Sequence, residues 1–220
     1  MGGGDAHDKD DALPPPEVFL EDGRLERIDE VVSLRTRNLT VVLDQLEDPF
    51  NMAAVLRTCE GMGLQEVHII KNPKVPFAPS KKVTQGCHKW LDLPAYDSMA
   101  ECREHLHARG FELWVSALGQ EATSLFSLPF DRKMALVFGN ERFGVSKEVL
   151  EAADGIFWIP MRGFTQSFNI SAAVSASVTQ AIAWRLRHLG PGGDLAEHEA
   201  SALRQKFRRL SVKQRKRIYG

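Results

Sequence analysis

Nearly continuous apolar runs that alternate with helical segments constrain the fold of this chain most. The runs at 39–43 (L-T-V-V-L) and 134–138 (M-A-L-V-F) lack the polar alternation of a strand with one face in water. Similar short runs occur at 67–70, 111–118 and 155–159, and helical periodicity lies between them. This pattern predicts an α/β domain with a mostly parallel sheet flanked by helices.

The length of 220 residues suits one domain with two appendages. Residues 1–22 carry a net charge of −6 and residues 201–220 one of +8, so a basic arm for a polyanion is one interpretation. A solvated helix face is the other. We expect four regions: a disordered acidic leader at 1–22, an N-terminal helical arm at 23–38, the α/β domain at 39–190 and a basic C-terminal helix at 191–220.

Composition excludes several protein classes. No stretch of about 18 uninterrupted apolar residues occurs, so we expect no membrane span. The first residues lack the apolar segment of a secretory signal. The three cysteines are widely spaced without a C-x-x-C pair, which fits neither a disulfide framework nor a zinc site. The reducing cytoplasm is therefore the expected compartment.

Polar residues follow the first strand, at the sheet edge where parallel α/β proteins bind ligands. The segment D-P-F-N-M-A-A-V-L-R places Asn51 and Arg57 six residues apart, within two turns of one helix. Asn51 is also explained as a helix N-cap. Arg57 is also explained as a rim arginine that pairs with an acid such as Glu60. The sequence alone leaves both explanations open.

A glycine-bracketed loop follows the strand that ends at Phe138. In F-G-N-E-R-F-G-V-S, glycines flank Asn140 and Glu141 and would let backbone approach a ligand closely. A plain turn with Ser146 as the cap of the next helix fits equally well. The spacing is not the G-x-G-x-x-G fingerprint, and no G-x-x-x-x-G-K-[ST] occurs, which argues against a nucleotide triphosphatase.

The loop after Ile159 reads P-M-R-G-F-T-Q-S-F-N-I-S and leads into a helix rich in small residues. Small residues let a ligand approach, and they also suit tight packing at a subunit interface. Together, N-x5-R, F-G-N-E-x-x-G-V-S and I-P-M-x-G-x-x-Q-S-x-N-I-S resemble the motifs of the SPOUT superfamily of RNA 2′-O-ribose methyltransferases. The resemblance spans about residues 39–184, and its third motif is the most specific.

Two features resemble the branch of that family that methylates guanosine 18 in the transfer RNA D-loop. They are the segment T-Q-G-C-H-K-W at 84–90 and the arginine-bearing helix before the first strand. The chain departs from the family at Phe50, where relatives often have His, and at Phe168, where Leu is usual. The first departure argues against a histidine role there, and the second should change only the shape of a pocket.

The resemblance implies a SPOUT fold with a C-terminal trefoil knot that binds S-adenosyl-L-methionine, in a homodimer that acts on tRNA. It implies Arg57 as the catalytic arginine, with other motif residues that orient or support the site: Asn51, Glu141, Ser167 and Asn169. It places the backbone that binds the cofactor at Ser116, Ala117, Gly139, Ile159, Met161 and Phe168. Backbone groups among apolar side chains suit an adenine ring.

The implied reaction is displacement at a sulfonium methyl group by a ribose 2′-hydroxyl, which must lose its proton. Arginine is an unusual base because the pKa of a free guanidinium exceeds about 12. We therefore favour Arg57 as a bidentate clamp on the neighbouring phosphate, with phosphate or solvent as proton acceptor. Proton transfer to the arginine itself is the alternative. The reaction needs no metal, and the sequence offers no cluster of metal ligands.

RNA binding requires exposed cations, because phosphate contacts dominate affinity. The candidates are Arg24, Arg27, Arg35, Lys89, Arg185, Lys213 and Arg215. The apolar stripe of the helix at 169–188 is a candidate homodimer interface, with an intrachain core helix as the alternative. Two other functions compete: 2′-O-methylation of ribosomal RNA or another tRNA position, and a non-catalytic RNA-binding module.

Overall fold

The computed structural model describes residues 14–75, 84–119, 121–140 and 142–213. Within these residues, seven strands form one sheet in the order β3-β2-β1-β6-β4-β7-β5, and every strand pairing is parallel. The strands are β1 (Leu39–Asp44), β2 (Val67–Ile70), β3 (Ala95–Tyr96), β4 (Glu112–Ser116), β5 (Thr123–Ser124), β6 (Met134–Phe138) and β7 (Gly155–Trp158). The predicted α/β class with a parallel sheet is confirmed.

The described helices are α1 (Asp22–Ser33), α2 (Pro49–Gly61), α3 (Met99–Ala108), α4 (Lys147–Glu151), α5 (Ile170–His188) and α6 (Glu197–Ser211). Two differ from the sequence prediction. The helix of the arm predicted at 23–38 ends at Ser33, because the Thr36 amide donates to the Gly63 carbonyl in a bridge to the next loop. The helix predicted at 191–220 begins at Glu197.

The core forms on both faces of the sheet because successive side chains of a strand point to opposite sides. On one face, Val41 of β1 belongs to the same buried cluster as Leu56 of α2 and Val178 of α5. On the other, Val42 clusters with Leu106 of α3 and with residues of α4. Burial on both faces explains why the central strands are almost wholly apolar.

Residues 33–196 form one compact unit, which contains the sheet. A second unit contains the described residues before 33 and after 196. Ion pairs hold this second unit: Arg208 contacts Glu17 at 2.6 Å and Asp29 at 3.5 Å. Glu17 lies in a short 3-10 helix, Pro16–Phe19, so structure begins before the predicted end of the leader at 22. The four-region division stays a prediction.

Three further predictions concern the whole chain. All three cysteines are free, with Cys59 and Cys102 buried. Among the residues that the structure describes, no helix is long and apolar enough to cross a membrane. The trefoil knot implied by the resemblance stays a prediction.

Candidate active site

Three loops meet at the carboxyl edge of the sheet, and two of them, after β6 and β7, were singled out by sequence. They follow β4, β6 and β7, and β4 is hydrogen-bonded to both of the other two strands. The register pairs Val115 with Val137 and Ser116 with Phe157, so the three strands end at nearly the same level. Parallel α/β sheets bind ligands in such a crevice.

These loops enclose a cavity of about 330 Å³. Its lining is mostly apolar and comprises Ser116, Ala117, Leu118, Gly144, Val145, Trp158, Ile159, Met161, Gln166, Ser167, Phe168 and Ala173. Five of the six positions that the family resemblance assigned to the cofactor, and also Ser167, are in this lining. Residues of the second and third motifs therefore line one cavity together with Ser116 and Ala117, whereas Asn51 and Arg57 of the first motif are not in its lining.

Gly139 is the sixth assigned position, and it supports the cavity rather than lining it. A Cβ added there would lie 2.3 Å from the carbonyl oxygen of Gly144 and 2.7 Å from the Val145 amide nitrogen. Only glycine lets the two ends of this loop come so close. Gly139 thus fixes the position of Gly144 and Val145, which do line the cavity.

Asn140 holds the same loop closed, a role that sequence reasoning missed. The backbone N–H and C=O of Asn140 form two 2.9 Å hydrogen bonds with the backbone of Gly144. Its Oδ1 accepts from the amides of Arg142 and Phe143, and its Nδ2 donates to the Gln45 carbonyl at 2.9 Å. Such side-chain bonds to nearby backbone are typical of asparagine in turns. Glu141, assigned a supporting role, lies outside the described residues.

Asn51 and Asn169, two of the assigned motif residues, are brought together from opposite ends of the domain. Asn169 Nδ2 donates to Asn51 Oδ1 at 3.0 Å. Asn169 also caps α5, because its Oδ1 accepts from the amide of Ser171 at 2.9 Å. Asn51 is not a cap: α2 begins at Pro49, and Asp48 accepts from the Phe50 amide. The N-cap explanation of Asn51 is therefore wrong.

Arg57 lies on the exposed side of α2 and contacts a neutral partner. Its Nη1 donates to Gln85 Oε1 at 2.9 Å. Glu60, the acid considered as its partner, instead accepts from Arg35 Nη2 at 2.7 Å. The structure therefore contradicts the alternative in which Glu60 pairs with Arg57. Gln85 belongs to the T-Q-G-C-H-K-W segment, so that segment contacts the assigned catalytic arginine directly.

Asp44 is a titratable group at the carboxyl end of β1 that sequence reasoning did not single out. Its side chain is buried, and burial together with the charge of Glu148 raises its pKa to about 6. It ends an apolar strand run, where a single acid gives little signal in a sequence.

Two cations predicted to contact RNA are buried, which corrects the prediction. Arg35 is 1% exposed and donates to the carbonyl of Leu64 at 2.8 Å besides its bond to Glu60. Arg185 is 8% exposed and donates to Asp194 and to the carbonyls of Asn38 and Arg132. Both guanidinium groups tie loops of the domain together and do not face solvent.

The remaining predicted RNA contacts differ in their surroundings. Arg24 and Arg27 are exposed on α1, where Arg27 pairs with Glu30. The Lys89 ammonium lies 4.3 Å from the ring centre of Trp90. Lys213 is exposed just beyond α6, and Arg215 lies outside the described residues.

Part of the apolar stripe of α5 packs within the chain. Val174, Val178 and Ala181 are completely buried and belong to the core cluster under the sheet. Ala173 and Ile182 are only partly buried and pack against the same cluster. The first three residues therefore form an intrachain core, and a homodimer interface on this helix stays a prediction.

Comparison with known proteins identifies the family to which the chain belongs. The chain matches the family model of the SpoU rRNA Methylase family over residues 38–178. The chain belongs to the SpoU family. The matched range contains β1 to β7 and the start of α5, and thus every loop around the cavity.

Individual SpoU relatives cover most of the chain. A tRNA (guanosine(18)-2′-O)-methyltransferase from Borreliella burgdorferi is 39% identical over 195 residues, which cover 89% of this chain and 88% of the relative. The solved TrmH/SpoU tRNA modifying enzyme from A. aeolicus is 28% identical, with a TM-score of 0.79, and the match covers 88% of this chain and 98% of that one. The SpoU methyltransferase AviRb from Streptomyces viridochromogenes, solved with AdoMet, is similar in fold at 21% identity and a TM-score of 0.62, covering 72% and 64% of the two chains.

Proposed function

We propose that this SpoU-family chain transfers a methyl group from S-adenosyl-L-methionine to the ribose 2′-hydroxyl of a tRNA, at guanosine 18 of the D-loop. The cavity carries the proposal, because its lining contains five of the six positions assigned to the cofactor. The name of the Borreliella burgdorferi relative supports the choice of tRNA and of guanosine 18.

The cavity fits the proposed cofactor by its chemistry. Leu118, Ile159 and Phe168 offer an apolar slot for an adenine ring, and Ser116 and Gln166 add polar groups to the same lining. Ligand sites of this kind are mostly apolar, with a few convergent polar groups that fix orientation. When bound, S-adenosylmethionine supplies an electrophilic methyl group.

Arg57 is the proposed catalytic residue of the chain. It is exposed, and its contact with Gln85 is to a neutral amide, so the guanidinium keeps its positive charge for the substrate. A planar guanidinium binds phosphate through two parallel hydrogen bonds. Clamped on the phosphate beside the target ribose, it would stabilise the 2′-oxygen as the proton leaves to phosphate or solvent.

The Asn51–Asn169 hydrogen bond connects the two helices that carry residues of the site. It joins the first turn of α2, the helix that carries Arg57, to the N-cap of α5, which follows the cavity-lining Ser167 and Phe168. Thr58 and Ser175 make a second link between these two helices, with 2.9 Å between their hydroxyl oxygens. We assign Asn51, Ser167 and Asn169 supporting roles, and Glu141 by family resemblance alone.

For the assembly, we propose a cytoplasmic homodimer with the knotted SPOUT topology. The free cysteines favour a reducing compartment. Phe50 is 71% exposed, so apolar surface is available to a second subunit next to the site. Arg24, Arg27, Lys89 and Lys213 are the proposed contacts for tRNA phosphates.

The test is methyl transfer to unmodified tRNA transcripts with a tritiated methyl donor, followed by nuclease mapping of the label. We expect label at guanosine 18, and none in a chimeric transcript with 2′-deoxyguanosine at that position. Label on a base, or a preference for ribosomal RNA over every tRNA tried, would contradict the proposal. Label on another tRNA ribose would correct the position alone.

A further inference from the structure

We propose that Gln85 is a positioning residue for Arg57: its side-chain oxygen directs the guanidinium and leaves the positive charge available to the RNA. This inference rests on the proposed function. It adds a role for the T-Q-G-C-H-K-W segment, which the sequence motifs singled out only as a mark of resemblance.

The contact joins two separate parts of the domain. Arg57 Nη1 donates to Gln85 Oε1 at 2.9 Å across 28 residues of sequence. The nearest acid along α2, Glu60, is engaged by the buried Arg35. An amide oxygen, rather than a carboxylate, therefore holds this arginine.

The backbone around Gln85 is shaped to present this side chain. Gln85 has a φ of 49° and Gly86 one of 79°, and the left-handed region is uncommon for a residue such as glutamine. Thr84 anchors the turn, because it is 2% exposed, its Oγ1 lies 2.5 Å from His88 Nδ1 and it accepts from the Gly86 amide at 3.3 Å. An unfavourable conformation persists where surrounding contacts determine it, and such positions cluster at functional sites.

The chemistry of the partner explains the choice of glutamine. A guanidinium has five N–H donors, and the amide oxygen occupies a donor on only one of its nitrogens. A neutral acceptor restricts the direction of the arginine without cancelling its charge. A carboxylate in its place would form a charge-assisted pair that competes with the phosphate for the same group.

Three substitutions separate the side-chain contact from the shape of the turn. Gln85→Ala removes the acceptor. Gln85→Asn keeps an amide in a residue type that tolerates positive φ, but it is one methylene shorter and falls short of Arg57. Gln85→Glu keeps the reach and adds a negative charge. Each is measured for single-turnover methyl transfer to tRNA, KM for tRNA, S-adenosylmethionine affinity and melting temperature.

We expect Gln85→Ala and Gln85→Asn to lower the single-turnover rate by about tenfold, because a misplaced catalytic group slows the reaction. Their cofactor affinity and melting temperature should stay at the wild-type values. Gln85→Glu should raise KM for tRNA more than either. In an Arg57→Lys background, Gln85→Ala should change the rate by less than about twofold, since lysine lacks the fork that Gln85 directs.

Full activity of Gln85→Ala and Gln85→Asn in an enzyme that methylates tRNA would overturn the positioning role alone. So would an undiminished effect of Gln85→Ala in the Arg57→Lys background, which would show that the turn itself matters. Failure of the wild-type protein to methylate any tRNA would instead refute the proposed function.

Discussion

Charged side chains at the amino edge of the sheet pair with one another, whereas the side chains of the candidate site contact mainly neutral groups. At the amino edge, Glu66 precedes β2 and is 6% exposed, and it accepts two hydrogen bonds from Arg109 at 2.7 and 3.0 Å. Arg37 pairs with the same carboxylate and also with Asp92. The Nε2 atom of His68 lies 3.4 Å from Glu66 Oε2. Charges at this edge neutralise one another.

The site joins its side chains mainly through neutral groups. Asn51 contacts Asn169, Asn140 contacts backbone, and Arg57 contacts the amide of Gln85. Internally satisfied charges therefore support the fold, whereas a charge held by neutral partners is available to a ligand.

Glu66→Gln should lower the free energy of unfolding by about 3 kcal/mol, because it leaves two arginines at the amino edge without their shared carboxylate. Urea denaturation measures the change. Glu104→Gln, at an exposed position of α3, is the control and should change stability by less than about 0.5 kcal/mol. Methyl transfer per folded molecule should be unaffected. A selective loss of activity would contradict a purely structural role of Glu66.

The same carboxylate predicts how stability depends on pH. Burial alone would raise the pKa of Glu66, but the nearby His68 imidazole, the hydrogen bonds and positive charge of Arg109 and the positive charge of Arg37 lower it to about 2. Because the folded pKa lies below the usual 4.5, the stabilisation is present above pH 4.5 and is lost as the pH falls toward 2. The wild type should lose stability over this range more steeply than Glu66→Gln, as measured by unfolding at fixed pH values. Parallel curves would contradict the role of Glu66.

Arg57→Ala should reduce single-turnover methyl transfer by about a hundredfold, the scale of losing one preorganised charged donor. Stability and cofactor affinity should change little, because the side chain is exposed and is not in the cavity lining. Arg103→Ala, an exposed arginine on α3, is the matched control and should keep full activity. Near-normal transfer by Arg57→Ala would refute the catalytic assignment.

Gly139→Ala should weaken S-adenosylmethionine binding by about tenfold, because its Cβ would collide with the Gly144 carbonyl and displace the cavity loop. Isothermal titration measures the affinity. Gly119→Ala provides the comparison, since a Cβ there meets nothing within 4 Å. Equal affinities in the two variants would show that the 139–145 loop does not shape the cofactor site.

Lys213→Ala should have the smallest effect, a reduction of tRNA affinity by a few fold and of the salt slope of binding by about one. The lysine is exposed, unlike Arg35 and Arg185, and can therefore release a counterion on binding RNA. Binding curves at several salt concentrations provide the slope. A slope equal to that of the wild type would place Lys213 outside the RNA interface.

The sequence predicted the strands and helices that are long enough to show a hydrophobic run or a hydrophobic periodicity. The apolar runs of β1, β2, β6 and β7 were found, and so was α5, predicted as a helix at 169–188. Edge strands β3 and β5 were missed because two residues carry no alternation. The five cavity positions came from family resemblance, since largely apolar side chains around a backbone site give no signal of their own.

The sequence alone could not predict which polar side chains are buried or which residues they contact. Arg35 and Arg57 look alike as isolated arginines, yet one is enclosed beside Glu60 and the other contacts Gln85. Which arginine meets the acid depends on long-range packing between α2 and two separate loops. The same holds for Asn51 and Asn169, whose contact spans 118 residues.

The cavity between the loops after β4, β6 and β7 is the proposed site of the methyl donor. Calorimetric titration with S-adenosylmethionine compares the wild-type protein with Phe168→Asp, a variant that places a charge in the cavity lining. We expect saturable binding and a higher melting temperature for the wild type, and at least about tenfold weaker binding for the variant. Absence of binding to the wild type at millimolar cofactor, or equal affinity in both proteins, would refute this site.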